Sequence, residues 1–125
     1  MIQSLDHFVL TVADPDRTVA FYGRHFGMKE VVFGEGRRAL AFGAQKINLH
    51  RAGAEYHPHA KAPVPGSADL CFLVDEPVTA LALKLAEDGV EVIEGPVAKT
   101  GATGPLLSIY VRDPDGNLVE LSNPA

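Results

Sequence analysis

Residues 5–28, LDHFVLTVADPDRTVAFYGRHFGM, hold the pattern that decides the fold. Their opening apolar, β-rich run predicts a strand. Asp14 then suits a helix cap and Pro15 the first helical position, and Val19, Tyr22 and Phe26 share one helical face before Gly27 supplies a stop. Residues 68–90, ADLCFLVDEPVTALALKLAEDGV, repeat the order: a strand, then a helix with Val78, Leu81, Ala82 and Leu85 on its apolar face, then the stop at Gly89. His7, Pro15 and Gly27 recur as Asp69, Pro77 and Gly89, each 62 residues further on. Strand position, helix start and helix stop in one register mark an internal duplication.

Outward from this pair, residues 30–33 (EVVF), 37–42 (RRALAF) and 46–50 (KINLH) predict three more strands separated by turns. In the second half KINLH matches NLVEL with Asn48 against Glu120, an offset of 72, and the extra residues are assigned to a loop over 95–105, GPVAKTGATGP. Residues 51–67, RAGAEYHPHAKAPVPGS, read as an extended connector. One domain over 1–125 is expected, with module one about 4–51, a connector about 52–66 and module two about 67–123. The predicted class is α+β, two βαβββ modules whose curled sheets surround a shared cavity, because each half is too short to bury both faces of its own sheet.

Composition bounds the function. The chain of 125 residues is 46% hydrophobic and 22% charged, a balance that builds a core without staples. A net charge of -5, a pI near 5.4 and dispersed Lys and Arg argue against a nucleic-acid partner. The opening MIQSLDHFVL lacks a basic start and a long apolar core, and no run approaches the roughly 20 apolar residues of a membrane span. A cytoplasmic protein is expected. Cys71, within LCFLV and alone in the chain, reads as a small buried hydrophobe in a reducing compartment.

Strand alternation assigns sides. Leu118, Glu120 and Ser122 oppose Val119 and Leu121; His7, Val9 and Thr11 oppose Phe8 and Leu10; Lys46, Asn48 and His50 oppose Ile47 and Leu49. A carboxylate between two core residues is explained if imidazoles and carboxylates from separate strands converge on a divalent ion. The plainer alternatives are a solvated Glu120 and a hydrogen-bonded His7. His25, His57 and His59 read as surface residues. The hairpin around Asp115 admits two geometries: a four-residue loop sets Tyr110 opposite Glu120, and a three- or five-residue loop sets both on one face.

The stretches 5–28, 46–50, 65–74 and 95–123, the last carrying RDPDGN before Glu120, resemble the vicinal oxygen chelate superfamily of glyoxalases, extradiol dioxygenases and fosfomycin- and bleomycin-resistance proteins. The small members labelled glyoxalase-domain protein 5 or virulence protein are most similar in pattern. The resemblance implies a metal held by His7, His50 and Glu120 with Asp69 as a fourth ligand. Asp69 stands where many members carry a second histidine, Asn48 stands at the first-module glutamate position, and His50 replaces the missing nitrogen. The likeness also favours the odd hairpin loop, which places Ser108, Tyr110 and Arg112 in a substrate cavity. Glu120 or Asp69 is the expected base, with Tyr110 a weaker candidate. The implied function is a lyase- or isomerase-type enzyme using a divalent ion (Ni, Zn, Mn or Fe) to chelate vicinal oxygens of a small substrate. The alternatives are a metal-free protein that sequesters a drug or metabolite, and ring-cleaving dioxygenase chemistry, which the short chain disfavours. A homodimer is implied by the same likeness.

Overall fold

The computed structural model describes residues 1–125, which form two compact units, Met1–Ser67 and Ala68–Ala125. In unit one, β1 (His7–Val12) leads through α1 (Pro15–Phe26) to β2 (Lys29–Phe33), β3 (Arg37–Phe42) and β4 (Gln45–Arg51). Unit two runs β5 (Asp69–Leu73), α2 (Val78–Glu87), β6 (Glu94–Thr100), β7 (Pro105–Arg112) and β8 (Leu118–Pro124). Each unit holds one four-stranded mixed sheet, ordered β1-β4-β3-β2 and β5-β8-β7-β6. β1 with β4 and β5 with β8 are parallel, and the other neighbours are antiparallel.

The duplication is visible in the register. His7 pairs with Lys46 on β4, and Asp69 pairs with Leu118 on β8. Those partners carry the sequence offsets of 62 and 72 into three dimensions.

Each sheet buries one face under its helix. In unit one Leu10, Val12, Leu40, Ile47 and Leu49 are buried with Tyr22 and Thr18 of α1. In unit two Ile109, Val111, Val119 and Leu121 are fully buried with Val78, Leu81 and Leu85 of α2. Burial of each such side chain contributes about 1.5–3 kcal/mol, so it fixes which side of every strand faces the helix. The opposite side is left for polar groups.

The helix ends differ between the units. At α1 the Asp14 carboxylate accepts from the amides of Asp16 (3.0 Å) and Arg17 (3.4 Å), Pro15 begins the helix, and Gly27 closes it in the left-handed region at φ 71°. At α2 Pro77 stands one position outside the helix, and the Val78 amide donates to Asn123 Oδ1 at 2.8 Å. Asn123 Nδ2 in turn donates to the carbonyls of Val74 and Glu76. A side chain from β8 thus does for α2 what a local aspartate does for α1.

Residues 95–105 depart from the loop expected of them. Glu94–Thr100 pair with β7 as a strand, leaving 101–104 as the turn, so residues 98–107 extend a hairpin where unit one has only 34–36. A bulge between Glu94 and Val97 accommodates an extra residue on β6. Gly95 makes that bulge possible: its φ is +102°, and a Cβ there would meet the Ser108 carbonyl oxygen at 2.3 Å.

Candidate functional site

Glu120 lies on the face of β8 that turns away from α2, which accounts for a carboxylate between the fully buried Val119 and Leu121. Across that face it stands opposite Cys71 on β5 and Tyr110 on β7. Arg112 pairs with Leu118, so the hairpin loop spans residues 113–117 and Tyr110 shares the Glu120 side. This is the odd-loop geometry.

The turn itself is built by RDPDGN. Asp113 Oδ1 accepts from the amides of Asp115 (2.9 Å) and Asn117 (3.0 Å), and Asp113 Oδ2 accepts from Asn117 Nδ2 at 2.8 Å. Fully buried Asn117 also accepts from the Ala68 amide at 2.9 Å, tying the turn to the entry of β5. The most recognisable motif of the chain is therefore a device that fixes the register of Tyr110 against Glu120.

A cavity of about 540 Å³ opens over this face. Asp69, Tyr110, Arg112 and Glu120 line it, together with Glu94 and Lys99. Neither is singled out by the sequence: 95–105 has a loop's composition, and strict alternation would set residues 94 and 99 on opposite faces, so it is the bulge that brings both to this side. The bulge sets Glu94 opposite Tyr110, and the extended hairpin brings Lys99 Nζ to 5.5 Å from the Tyr110 ring centroid. Burial, the hydrogen bond to Glu120 and the neighbouring carboxylates push the Tyr110 hydroxyl up to about 12, so it is protonated at neutral pH.

Ser108 belongs to the same face but lies beneath it. Fully buried, it hydrogen-bonds Ser122 Oγ at 2.7 Å, and Ser122 donates to Glu120 Oε2 at 3.3 Å. Cys71 corrects an expectation: it is exposed on the site face, not buried under the helix, with Sγ 3.4 Å from Ser122 Oγ. Its thiol is pushed up by shielding at the sheet surface and by the Glu120 charge, against the opposing effect of Ser122.

In unit one His7 Nδ1 meets Asp6 Oδ2 at 2.7 Å, which leaves Nε2 available outward. Asn48 and His50 lie on the β4 face away from α1 and are 5% and 2% exposed. The register separates the two histidines: His7 pairs with Lys46, His50 with Thr11, four residues on. At about 3.3 Å per residue the two stand roughly 13 Å apart along the sheet, too far to share one ion through side chains that rise from it. His50 stays neutral, its imidazole shifted down by burial and by the Arg37 charge.

The connector does not lie idle. Tyr56 sets its ring 5.5 Å from the His50 ring, and Arg37 lies 4.6 Å over Tyr56. His57 and His59 are exposed, as expected, with ring centroids 5.0 Å apart, while His25 is half-buried against Phe21. No three His, Cys, Asp or Glu side chains stand preassembled as a cluster in the chain. No helix is long and apolar enough to cross a membrane.

Comparison with known proteins gives a consistent answer. The family described as Glyoxalase/Bleomycin resistance protein/Dioxygenase superfamily matches residues 4–121. Glyoxalase domain-containing protein RDO1 of Mycosarcoma maydis is 56% identical over 122 residues, spanning 98% of this chain and 69% of that protein. Virulence protein STM3117 of Salmonella typhimurium is 50% identical over 122 residues, spanning 98% and 85%. The crystal structure of the Salmonella protein superposes with a TM-score of 0.97 at 49% identity, covering 100% of this chain and 99% of that one. More distantly, metallothiol transferase FosB of Shouchella clausii is 26% identical over 122 residues, 97% of this chain and 80% of that protein.

Proposed function

Because the chain belongs to the Glyoxalase/Bleomycin resistance protein/Dioxygenase superfamily, we propose that it is a divalent-metal-dependent enzyme acting on a small molecule with neighbouring oxygens, in lyase or isomerase chemistry. The observation that carries this reading is the unit-two cavity, where the Asp69 and Glu120 carboxylates open onto one space beside a protonated Tyr110 and the Arg112 cation. The name of the Shouchella relative, a metallothiol transferase, supports a metal in this family.

The donor chemistry of three side chains supports such an ion. Glu120, Asp69 and the Nε2 of His7 would hold it, a set of hard oxygen and borderline nitrogen donors suited to Mn, Zn, Ni or Fe. Asp6 on His7 Nδ1 is the carboxylate partner that metal-bound imidazoles commonly use to fix their tautomer. His50 is left out of the set because of its register. When bound, the ion supplies Lewis-acid polarisation of the substrate oxygens.

The chain's own groups do the rest. Glu120 accepts a proton from the substrate, its position set by Ser122 and, below that, by Ser108. Tyr110 donates a hydrogen bond to developing negative charge. Arg112, anchored by Nη1 to the Gly116 carbonyl at 3.2 Å, orients an anionic or oxygen-rich substituent.

A homodimer accompanies this reading. Leu73, on the face away from α2, is 65% exposed in the single chain, and a second copy would cover such an apolar group. A cytoplasmic setting suits the single unpaired cysteine. One observation favours a second reading, metal-free sequestration of a small ligand: the absence of a preassembled donor cluster.

Calorimetric titration of Mn, Zn, Ni and Fe(II) into the purified protein separates the two. The enzyme reading expects one site per chain, weakened at least about 100-fold in His7→Ala and in Glu120→Ala variants that keep their circular dichroism, in line with loss of one ligand. No binding of any of the four ions by the folded protein supports the binder.

A further inference from the structure

We propose that unit one carries a separate subsite for a small organic anion, a carboxylate or similar oxyanion on an apolar body, built on His50 with Asn48 and Arg37 next to it on the same sheet face. Both ring nitrogens of His50 and the side-chain carbonyl oxygen of Asn48 are buried without a hydrogen-bond partner. Buried polar atoms are nearly always paired, and leaving one without a partner is unfavourable. Two adjacent positions on one strand face carry that cost, and a ligand with oxygen atoms relieves it.

A cavity of about 450 Å³ opens over His50 and is lined by Val9, Thr11, Pro58, His59 and Ala60. Its volume suits a small molecule, and its walls mix apolar surface with a few polar groups. The sign of the ligand follows from the neighbouring charges. Arg38 pairs with Leu49, so Arg37 stands beside His50 on the other face from Arg38. Arg38 is committed to Asp16 and Glu30, whereas Arg37 and Lys46 pair with no carboxylate. Instead aromatic rings hold them: Arg37 lies over Phe33 and Tyr56, and Lys46 Nζ is 3.9 Å from the Phe33 centroid. The nearest carboxylate, Glu55, is engaged by the Gly53 amide at 2.7 Å. A cation that pairs with no carboxylate, beside an unsatisfied neutral imidazole, selects an anion.

The subsite's part in turnover rests on the functional reading above, but its binding does not require the ion. The test is a titration of benzoate, and of its neutral isostere benzamide, into metal-stripped and metal-loaded protein, followed through the histidine ring resonances, with His50 assigned by the His50→Gln spectrum. Benzoate is expected to shift the His50 resonances saturably, with one midpoint whether or not metal is present. Benzamide binds at least roughly tenfold more weakly, and Arg37→Gln, a half-exposed position, removes that preference. An unresponsive His50, or equal affinity for the two probes, overturns the inference, the former leaving the cavity to water. A protein that binds metal without a His50 response loses this subsite alone; one that shows the response but takes no metal loses the enzyme reading alone.

Discussion

Glu120 and Asn117 sit three residues apart on one hairpin and do opposite work. Glu120 faces a cavity; Asn117 is sealed in, holding Asp113 and the Ala68 amide together. Asn117→Ala is expected to lower the unfolding free energy by about 1–3 kcal/mol in urea titrations, because it strands buried partners. Glu120→Gln is expected to leave stability nearly unchanged while abolishing function. His50 predicts a pH signature. Its folded pKa lies below the ordinary value of about 6.5, so the unfolded chain takes up protons first and stability is lost as pH falls below that value. Thermal melts across that window should show a smaller acid loss in His50→Gln; an unchanged profile would show that His50 is not held neutral. At this scale the sequence revealed the side of Glu120 by alternation alone. It could not reveal that Cys71 is exposed, because LCFLV alternates between faces that are both apolar in composition.

The elements were legible where local chemistry built them and illegible where distant residues did. Asp14, Pro15 and Gly27 announce α1 in consecutive letters. The cap of α2 comes instead from Asn123, forty-five residues from Val78, and no local pattern encodes it. Asn123→Ala is expected to cost about 1 kcal/mol, the worth of an N-cap, whereas Pro77→Ala should cost less. The Gly- and Pro-rich run 95–105 reads as a loop by composition, yet the sheet edge recruits it as a strand whose bulge needs a glycine. Gly95→Ala forces a Cβ into the Ser108 carbonyl and strains a positive φ. The expected result is a loss of more than about 1 kcal/mol in denaturant titrations and a displaced Glu94. A variant as stable as the parent would show that the bulge tolerates a side chain.

For the whole molecule, the repeat was readable because an offset of 62 joined a strand, a cap and a stop, and the register of both sheets carries it through. What no sequence offset could supply was the level of each donor along its strand. That level separates His50 from His7 along the sheet, and the proposals above give the two histidines different tasks. In the proposed enzyme a single imidazole, that of His7, joins the carboxylates of Glu120 and Asp69 at an ion. Pulsed electron paramagnetic resonance of the manganese(II)-loaded protein reads this directly through nitrogen coupling. The prediction is coupling to one imidazole nitrogen that disappears in His7→Ala and persists in His50→Gln; coupling that survives His7→Ala, or none in the parent protein, would contradict it.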